Sequence, residues 1–166
     1  MDNETMRRGK RTRDFDAVIT APFGRIGFML EGEAITDISF LDKNTSLSPP
    51  CTPQARKVAR VLRSYFGNPR YSFRLPLKLG GTAFQQRVWR ALQRIPAGRT
   101  LSYGVLAKKL DTSARAVGNA CRANPVPIIV PCHRVVASNG VGGFMGKRAG
   151  APLNLKHWLL AHERGE

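Results

Sequence analysis

The residues best suited to covalent chemistry in this chain lie side by side in Pro131-Cys132-His133-Arg134. Cationic neighbours lower the pKa of a thiol and raise its thiolate fraction, although a cysteine in an apolar setting is usually an inert core residue. The pattern favours a reactive Cys132. Because His133 is the next residue, a direct bond to the Cys132 sulfur is awkward, and we expect a bridging water to carry the proton.

A histidine base also needs an acceptor that orients its second nitrogen. Acidic residues are scarce after Asp42, where only Asp111, Glu163 and Glu166 remain. Glu163 follows the apolar run Trp158-Leu159-Leu160, which predicts a helix docked on the core. Glu163 is therefore the candidate partner of His133.

The cysteine and histidine spacing argues against a metal site. No C-x-x-C pair occurs, no histidine precedes His133, and Cys121, Cys132 and His133 do not match a zinc spacing. We expect no metal and no cofactor. Cys51 and Cys121 are interpreted as unreactive packing cysteines.

The second half of the chain must position these residues, and its pattern is mostly helical. Thr82 and Gln85 predict a capping box that opens the first helix. The second predicted helix spans 102–110 with Val105, Leu106 and Leu110 inward, and the third spans 114–123. The tight turn at 111–113 between them predicts a helix-turn-helix. Three prolines then frame a short apolar strand that delivers Cys132.

The first half predicts a small antiparallel sheet plus a helix. Three short strands are predicted at 17–20, 25–30 and 35–41, followed by a helix capped by Thr52, begun by Pro53 and ended at Gly67. A further strand is predicted over 71–79. The fold class is thus an α/β N-terminal domain followed by a mostly α domain. We place a disordered basic arm at 1–13 and the two domains at 14–79 and 80–166.

Charge points to a polyanionic partner. The formal net charge is +16, and the stretch from Lys43 to Lys156 holds 20 basic residues and one acid. No apolar run approaches membrane-spanning length, and no secretory signal is visible. Three unevenly spaced cysteines favour a reducing compartment. We expect a cytoplasmic protein (nuclear if eukaryotic), monomeric and without an obligate protein partner.

The chain resembles the O6-alkylguanine-DNA alkyltransferases. The resemblance covers about half of the chain, with several motifs in order. They are Gly81-Thr82-Ala83-Phe84-Gln85, Ile95-Pro96-Ala97-Gly98, Ser102-Tyr103-Gly104, Ala114-Arg115-Ala116-Val117-Gly118, Asn124-Pro125, Pro131-Cys132-His133-Arg134 and Leu159-Leu160-Ala161-His162-Glu163.

The resemblance implies a suicide repair reaction on duplex DNA that contains O6-alkylguanine. The damaged base is flipped out, and its alkyl group moves irreversibly to Cys132, with His133 as base through water and Glu163 as its orienting group. Asn124 would tie the turn before the cysteine, and Tyr103 would meet the base and the adjacent phosphate. Arg115 would fill the gap in the stack. Further DNA contacts are implied for Ser102, Ala116, Asn119 and Arg122, and a substrate pocket for Val135, Phe144, Met145 and Gly146.

The chain departs from the family after the motif. Phe144 replaces a tyrosine, Met145 replaces a small residue, and the loop over 145–155 is lengthened. Two other hypotheses remain open from the residues: a helix-turn-helix protein that binds lesions without chemistry, and a cysteine hydrolase that turns over an acyl-enzyme.

Overall fold

The computed structural model of the protein describes residues 15–145 and 151–166. They divide into two compact units, the first ending at Gly80 and the second running from Gly81 to Glu166. No helix within the described ranges is long and apolar enough to cross a membrane. The predicted arm at 1–13 and the pocket candidate Gly146 lie outside the described residues.

The first unit is built on a three-stranded sheet. Strands β1 (Ala17–Ala21), β2 (Gly24–Glu31) and β3 (Ala34–Leu41) pair antiparallel in the order β1-β2-β3. Ile26 and Phe28, two positions apart on the central strand, are both fully buried, as the two-residue period of a strand requires. The predicted small antiparallel sheet is confirmed.

Helix α1 (Pro53–Gly67) packs against β1 and completes the core of this unit. The Thr52 side chain accepts a hydrogen bond from the Ala55 amide, and Pro53 occupies the first turn, where no amide hydrogen is needed. Val58, Leu62 and Tyr65 are fully buried at helical spacing. The predicted cap and first position of this helix are confirmed.

The strand predicted over 71–79 is wrong. Only Leu77 forms a bridge, with Ile35 in parallel, while the rest of the segment has no ladder. The Pro76 carbonyl accepts from the Ile35 amide, but proline has no amide hydrogen of its own to donate. Exposure alternates along this segment, as in an extended backbone, but an extended segment does not by itself have a partner strand.

The described residues of the second unit form four α-helices and a short parallel pair of strands. Helix α2 (Ala83–Gln93) begins with the predicted capping box between Thr82 and Gln85, which is confirmed. Then come β4 (Leu101–Ser102), α3 (Tyr103–Lys109), α4 (Ala114–Arg122), β5 (Val135–Val136) and α5 (Ala151–Arg164). Strand β4 pairs with β5, and α4 packs against both α2 and α3.

A four-residue connection joins α3 to α4. Asp111 adopts a left-handed backbone with φ 54°, and the Ser113 side chain accepts from the Ala116 amide to cap α4. Leu106 is buried, but Val105 is 45% exposed, so its predicted inward position is wrong. Neighbouring helical residues point about 100° apart, so in a helix this short the face set by Leu106 excludes Val105.

One prediction around the motif is also corrected. The apolar strand expected before Cys132 is instead a series of turns that leads into a 3-10 turn, Cys132–Arg134. Helix α5 begins at Ala151, within the 145–155 segment that is predicted to be lengthened relative to the family. Pro152 lies in the first turn of that helix, where its missing amide hydrogen costs nothing.

Candidate active site

Asn124 fastens the turns that lead to the cysteine. Its side-chain amide donates to the Val130 carbonyl at 2.7 Å, and its side-chain oxygen accepts from the Val126 amide at 2.9 Å. Between these points the buried Ile128 has φ 76°, a conformation that β-branched residues rarely adopt. The Cys132 amide then donates to the same Val130 carbonyl at 2.8 Å. A single buried amide side chain therefore holds the approach to Cys132.

Cys132 opens the 3-10 turn and is 5% exposed, while the next residue, His133, is fully buried. Helix α5 packs on this turn and brings Glu163 to His133, with 2.8 Å between Nε2 and Oε1. The structure thus brings together the His133 and Glu163 that the sequence singled out 30 residues apart.

The charge state of Glu163 fixes the tautomer of His133. Burial alone would raise the pKa of Glu163, but hydrogen bonds from His133 and Arg134 outweigh it and lower the pKa to about 2. The carboxylate is therefore an acceptor, and His133 Nε2 must carry the hydrogen. Burial lowers the pKa of His133, against the opposing effect of Glu163, so the imidazole is neutral at rest. Its lone pair is then on Nδ1.

Arg134 pairs with the same carboxylate. Its Nη2 lies 2.6 Å from Glu163 Oε2 and its Nε 2.9 Å from Oε1, while Nη1 donates to the Ile95 carbonyl at 2.5 Å. This forked contact directs the guanidinium charge at Glu163. Arg134 supports the thiol only indirectly, which the sequence alone did not reveal.

Lys156 is a buried cation that sequence analysis missed. Its ammonium group donates to the Val135 carbonyl at 2.7 Å and to the Gly143 carbonyl at 2.8 Å. Burial lowers the pKa of Lys156 to about 8, opposed by Cys132 and Cys121. The available clue was periodicity, because Lys156 shares a helical face with Leu159 and Glu163.

Tyr103, the first residue of α3, packs against the segment after the motif. Its hydroxyl donates to the Gly143 carbonyl at 3.5 Å, and its ring centroid lies 5.7 Å from Lys156 Nζ. Gly142 has φ +76°, and a Cβ there would come within 3.2 Å of the ring, so glycine permits this approach. Burial raises the pKa of Tyr103, which keeps the phenol protonated.

The predicted pocket residues that the structure describes lie at, or within two residues of, Val135 and Gly143, whose carbonyls bind Lys156. Val135 in β5 is fully buried and supplies a carbonyl to Lys156, and Phe144 is 4% exposed. Met145 has φ 53°, a left-handed backbone, at the edge of the described segment.

The DNA-contact candidates lie mainly on the outer face of α4. Arg115, Asn119 and Arg122 are exposed and Ala116 is half-buried, whereas the opposite face of the helix is in the core. Ser102 acts as the N-cap of α3, since its hydroxyl accepts from the Val105 amide at 3.1 Å.

The other two cysteines differ from each other. Cys121 is buried, and burial together with nearby Cys132 raises the pKa of its thiol, so it stays protonated. Cys51 is exposed and its thiol contacts the Pro49 carbonyl at 3.3 Å, so its predicted packing role is wrong. Within the described ranges, no group of three or more metal-ligating side chains occurs.

The described residues thus form an α/β unit followed by a helical unit, in which the buried Cys132 directly precedes a buried His133–Glu163 pair. Comparison with known proteins assigns the chain to a family. The family model described as "6-O-methylguanine DNA methyltransferase, DNA binding domain" matches residues 83–165.

A methylated-DNA--protein-cysteine methyltransferase of Methanosarcina acetivorans is 36% identical over 154 residues, which span 89% of this chain and 96% of the relative. One of Mycolicibacterium paratuberculosis is 46% identical over 153 residues, or 88% and 90% of the two chains. The Mycobacterium tuberculosis O6-methylguanine methyltransferase structure, 36% identical, covers 89% of this chain and 91% of that chain with a TM-score of 0.75. The chain therefore belongs to the O6-methylguanine-DNA methyltransferase family.

Proposed function

We propose that the protein repairs DNA by moving the alkyl group of O6-alkylguanine onto Cys132, once per molecule. The names of its relatives describe a methyl transfer from methylated DNA to a protein cysteine. One structure similar to this chain, with a TM-score of 0.75 and 36% identity, is of the M. tuberculosis protein in complex with DNA. A thioether is a poor leaving group, so the reaction stops after one transfer.

The observation that carries this proposal is which nitrogen of the His133 imidazole donates a hydrogen bond and which one is left to accept. Nε2 donates to the Glu163 carboxylate, and the buried Nδ1 has no hydrogen-bond partner within the described part of the chain. A buried acceptor without a partner is costly, and a bridging water would satisfy it. Such a water would link Nδ1 to the Cys132 thiol, because a direct bond between two adjacent side chains is geometrically awkward.

The proton and electron movements then balance. The Cys132 proton passes through the water to Nδ1, the thiolate attacks the alkyl carbon, and the carbon–O6 bond breaks. The bonding pair stays on the guanine oxygen, where a donor must stabilise the developing charge. Tyr103 would supply it by donating to the ring nitrogen, and its raised pKa keeps that proton in place until then.

Arg134 and Lys156 act as positioning residues in this scheme. Arg134 shares the Glu163 charge, so His133 stays neutral and able to accept a proton before the reaction. Lys156 donates hydrogen bonds to the carbonyls of both Val135 and Gly143. These two bonds fix the backbone at the two ends of the 135–143 segment, next to the place where the base would lie. Val135, Phe144 and Met145 would line that pocket.

Helices α3 and α4 would act as a helix-turn-helix on DNA. The exposed face of α4 combines cations with small side chains, which suits close approach to a groove. Arg115 would enter the stack in place of the flipped base. Ser102, Ala116, Asn119 and Arg122 would contact the backbone around it.

The decisive experiment is intact-mass and peptide analysis after incubation with a duplex that contains one O6-methylguanine. We expect a gain of one methyl group, located on Cys132 and absent from the Cys121 and Cys51 peptides. Tight binding to the lesion without an adduct would instead identify a lesion-binding protein. Repeated turnover of an ester would identify a hydrolase. Either result would refute the transfer.

A further inference from the structure

All charged residues on the outer face of helix α1 in the first unit are basic. Its exposed long side chains are Arg56, Lys57, Arg60 and Arg63, which we call the α1 basic stripe. The sequence of the helix contains no acidic residue, and its opposite face is buried against the sheet. The core therefore holds the helix in place and fixes which side chains face outward.

These cations lack carboxylate partners. Among the described residues, none of the four forms an ion pair; the only side-chain bond of the stripe is from Arg56 to the Cys51 carbonyl. Asp16 and Glu33 line a surface cleft together with Arg56, Lys57 and Arg60. The Asp16 carboxylate accepts a hydrogen bond from the Leu30 amide at 2.7 Å instead of pairing with one of these cations. By contrast, Lys78 in the same unit does pair with Glu31. Four like charges with only two carboxylates nearby, neither in an ion pair with them, leave an excess of positive charge that favours an anionic partner.

The spacing of the stripe suits a nucleic-acid backbone. Arg56, Arg60 and Arg63 follow the i, i+4, i+7 pattern of one helical face. At about 1.5 Å per residue they span roughly 10 Å along the helix. Phosphates of one DNA strand rise by about 3.4 Å each, so four successive phosphates, with three intervals between them, span about the same length.

We propose that the α1 basic stripe is a second DNA-backbone contact, separate from the α3–α4 pair and independent of the lesion. The proposal rests on the proposed function, because that function makes duplex DNA the polyanion this protein meets. The stripe contacts phosphates alone, so it adds affinity and salt dependence without sequence or damage preference.

The test is the salt dependence of binding to an undamaged duplex of about 40 base pairs, since each lost phosphate contact lowers the slope of log K against log salt by about 0.9. The triple variant Arg56→Gln, Arg60→Gln, Arg63→Gln should reduce the slope by about 2 to 3. The matched control is Lys43→Gln, Arg70→Gln, Arg74→Gln, which removes the same charge from exposed positions of the same unit. We expect the control to change the slope by less than about 1.

Equal slopes for the two triple variants, or no change in either, would overturn the proposal. So would an unchanged DNA slope combined with lost binding to phosphatidylglycerol vesicles, which would assign the stripe to an anionic membrane surface. Reaction of each variant with free O6-benzylguanine separates the two proposals. If the wild-type protein forms no adduct, the proposed function fails whatever the slopes show.

Discussion

The two units of the molecule bury different kinds of side chains. Of the buried polar or charged residues, the first unit contributes only Ser39 within the described ranges. The second unit buries Asn124, His133, Arg134, Lys156 and Glu163. Apolar burial stabilises the first unit and depends little on pH, whereas the second depends on partners that must stay in the right protonation state. In the second unit, the residues of the proposed reaction are therefore among those on which its stability depends.

Removal of the Cys132 thiol should give the largest effect, and it tests whether the proposed chemistry belongs to the second unit. Cys132→Ala should abolish alkyl transfer while DNA affinity stays within about twofold, because the outer face of α4 is untouched. Cys51→Ala, the exposed cysteine of the first unit, is the matched control and should react like the wild type. Rates are measured with a labelled O6-methylguanine duplex. Transfer by the Cys132 variant would place the nucleophile elsewhere.

Loss of the Glu163 charge comes next. Glu163→Gln leaves the buried Arg134 charge uncompensated and should cost about 3 to 5 kcal/mol of unfolding free energy, measured with urea. It should also slow transfer, because the amide no longer fixes the His133 tautomer. The exposed Glu33→Gln variant in the first unit should cost less than about 0.5 kcal/mol. Equal stability of the two variants would contradict the contrast between the units.

The same carboxylate predicts acid sensitivity. Its folded pKa of about 2 is below the usual 4.5. The stabilisation is complete above pH 4.5 and is lost as the pH falls toward 2, by about 3 kcal/mol. Burial lowers the folded pKa of His133 as well, so stability also declines as the pH falls below the ordinary histidine range. Glu163→Gln should flatten the decline between pH 4.5 and 2, and an unchanged acid profile would refute its assignment.

A core substitution in the first unit tests the same comparison in the unit whose stability depends on apolar burial. Leu62 is fully buried in α1, and Leu62→Ala should cost about 3 kcal/mol through lost burial and the cavity left behind. The acid profile should keep its shape, since no titrating group is removed. Leu47→Ala, at a position 53% exposed, is the control and should change stability by less than about 0.5 kcal/mol. A changed acid profile in Leu62→Ala would show that the two units do not differ as described.

The smallest expected effect is at Arg115. It is exposed, so Arg115→Ala should leave stability within about 0.5 kcal/mol. Repair in duplex DNA should slow by about tenfold, because the flipped base loses the side chain that replaces it, while reaction with free O6-benzylguanine stays unchanged. Asn139→Ala, another exposed position of the second unit, serves as control. Equal losses on both substrates would count against insertion into the stack.

The sequence predicted those parts of the fold that local rules determine. Thr52, Thr82 and Ser113 are caps because short polar side chains satisfy the free amides of a helix start, whatever its surroundings. The extended segment 71–79 shows the limit of this approach. Its alternation was visible, but whether another strand pairs with it depends on distant residues.

The candidate site was predictable only where few alternatives existed. Glu163 emerged because acids are scarce after Asp42, and the structure brings it to His133. Lys156 and the contact of Arg134 with Glu163 were missed, because long cationic side chains usually signify a solvated surface. Only tertiary packing reveals that these two are enclosed.

Ile128 limits how freely the segment before Cys132 can be redesigned. Its left-handed backbone costs about 1 to 3 kcal/mol, which glycine would relieve, but its buried side chain fills space that glycine would leave empty. Neither residue satisfies both demands, so the turn keeps its shape only while the Asn124 amide overrides the local preference. Protein engineers who wish to widen this neighbourhood should therefore leave residues 124–130 intact.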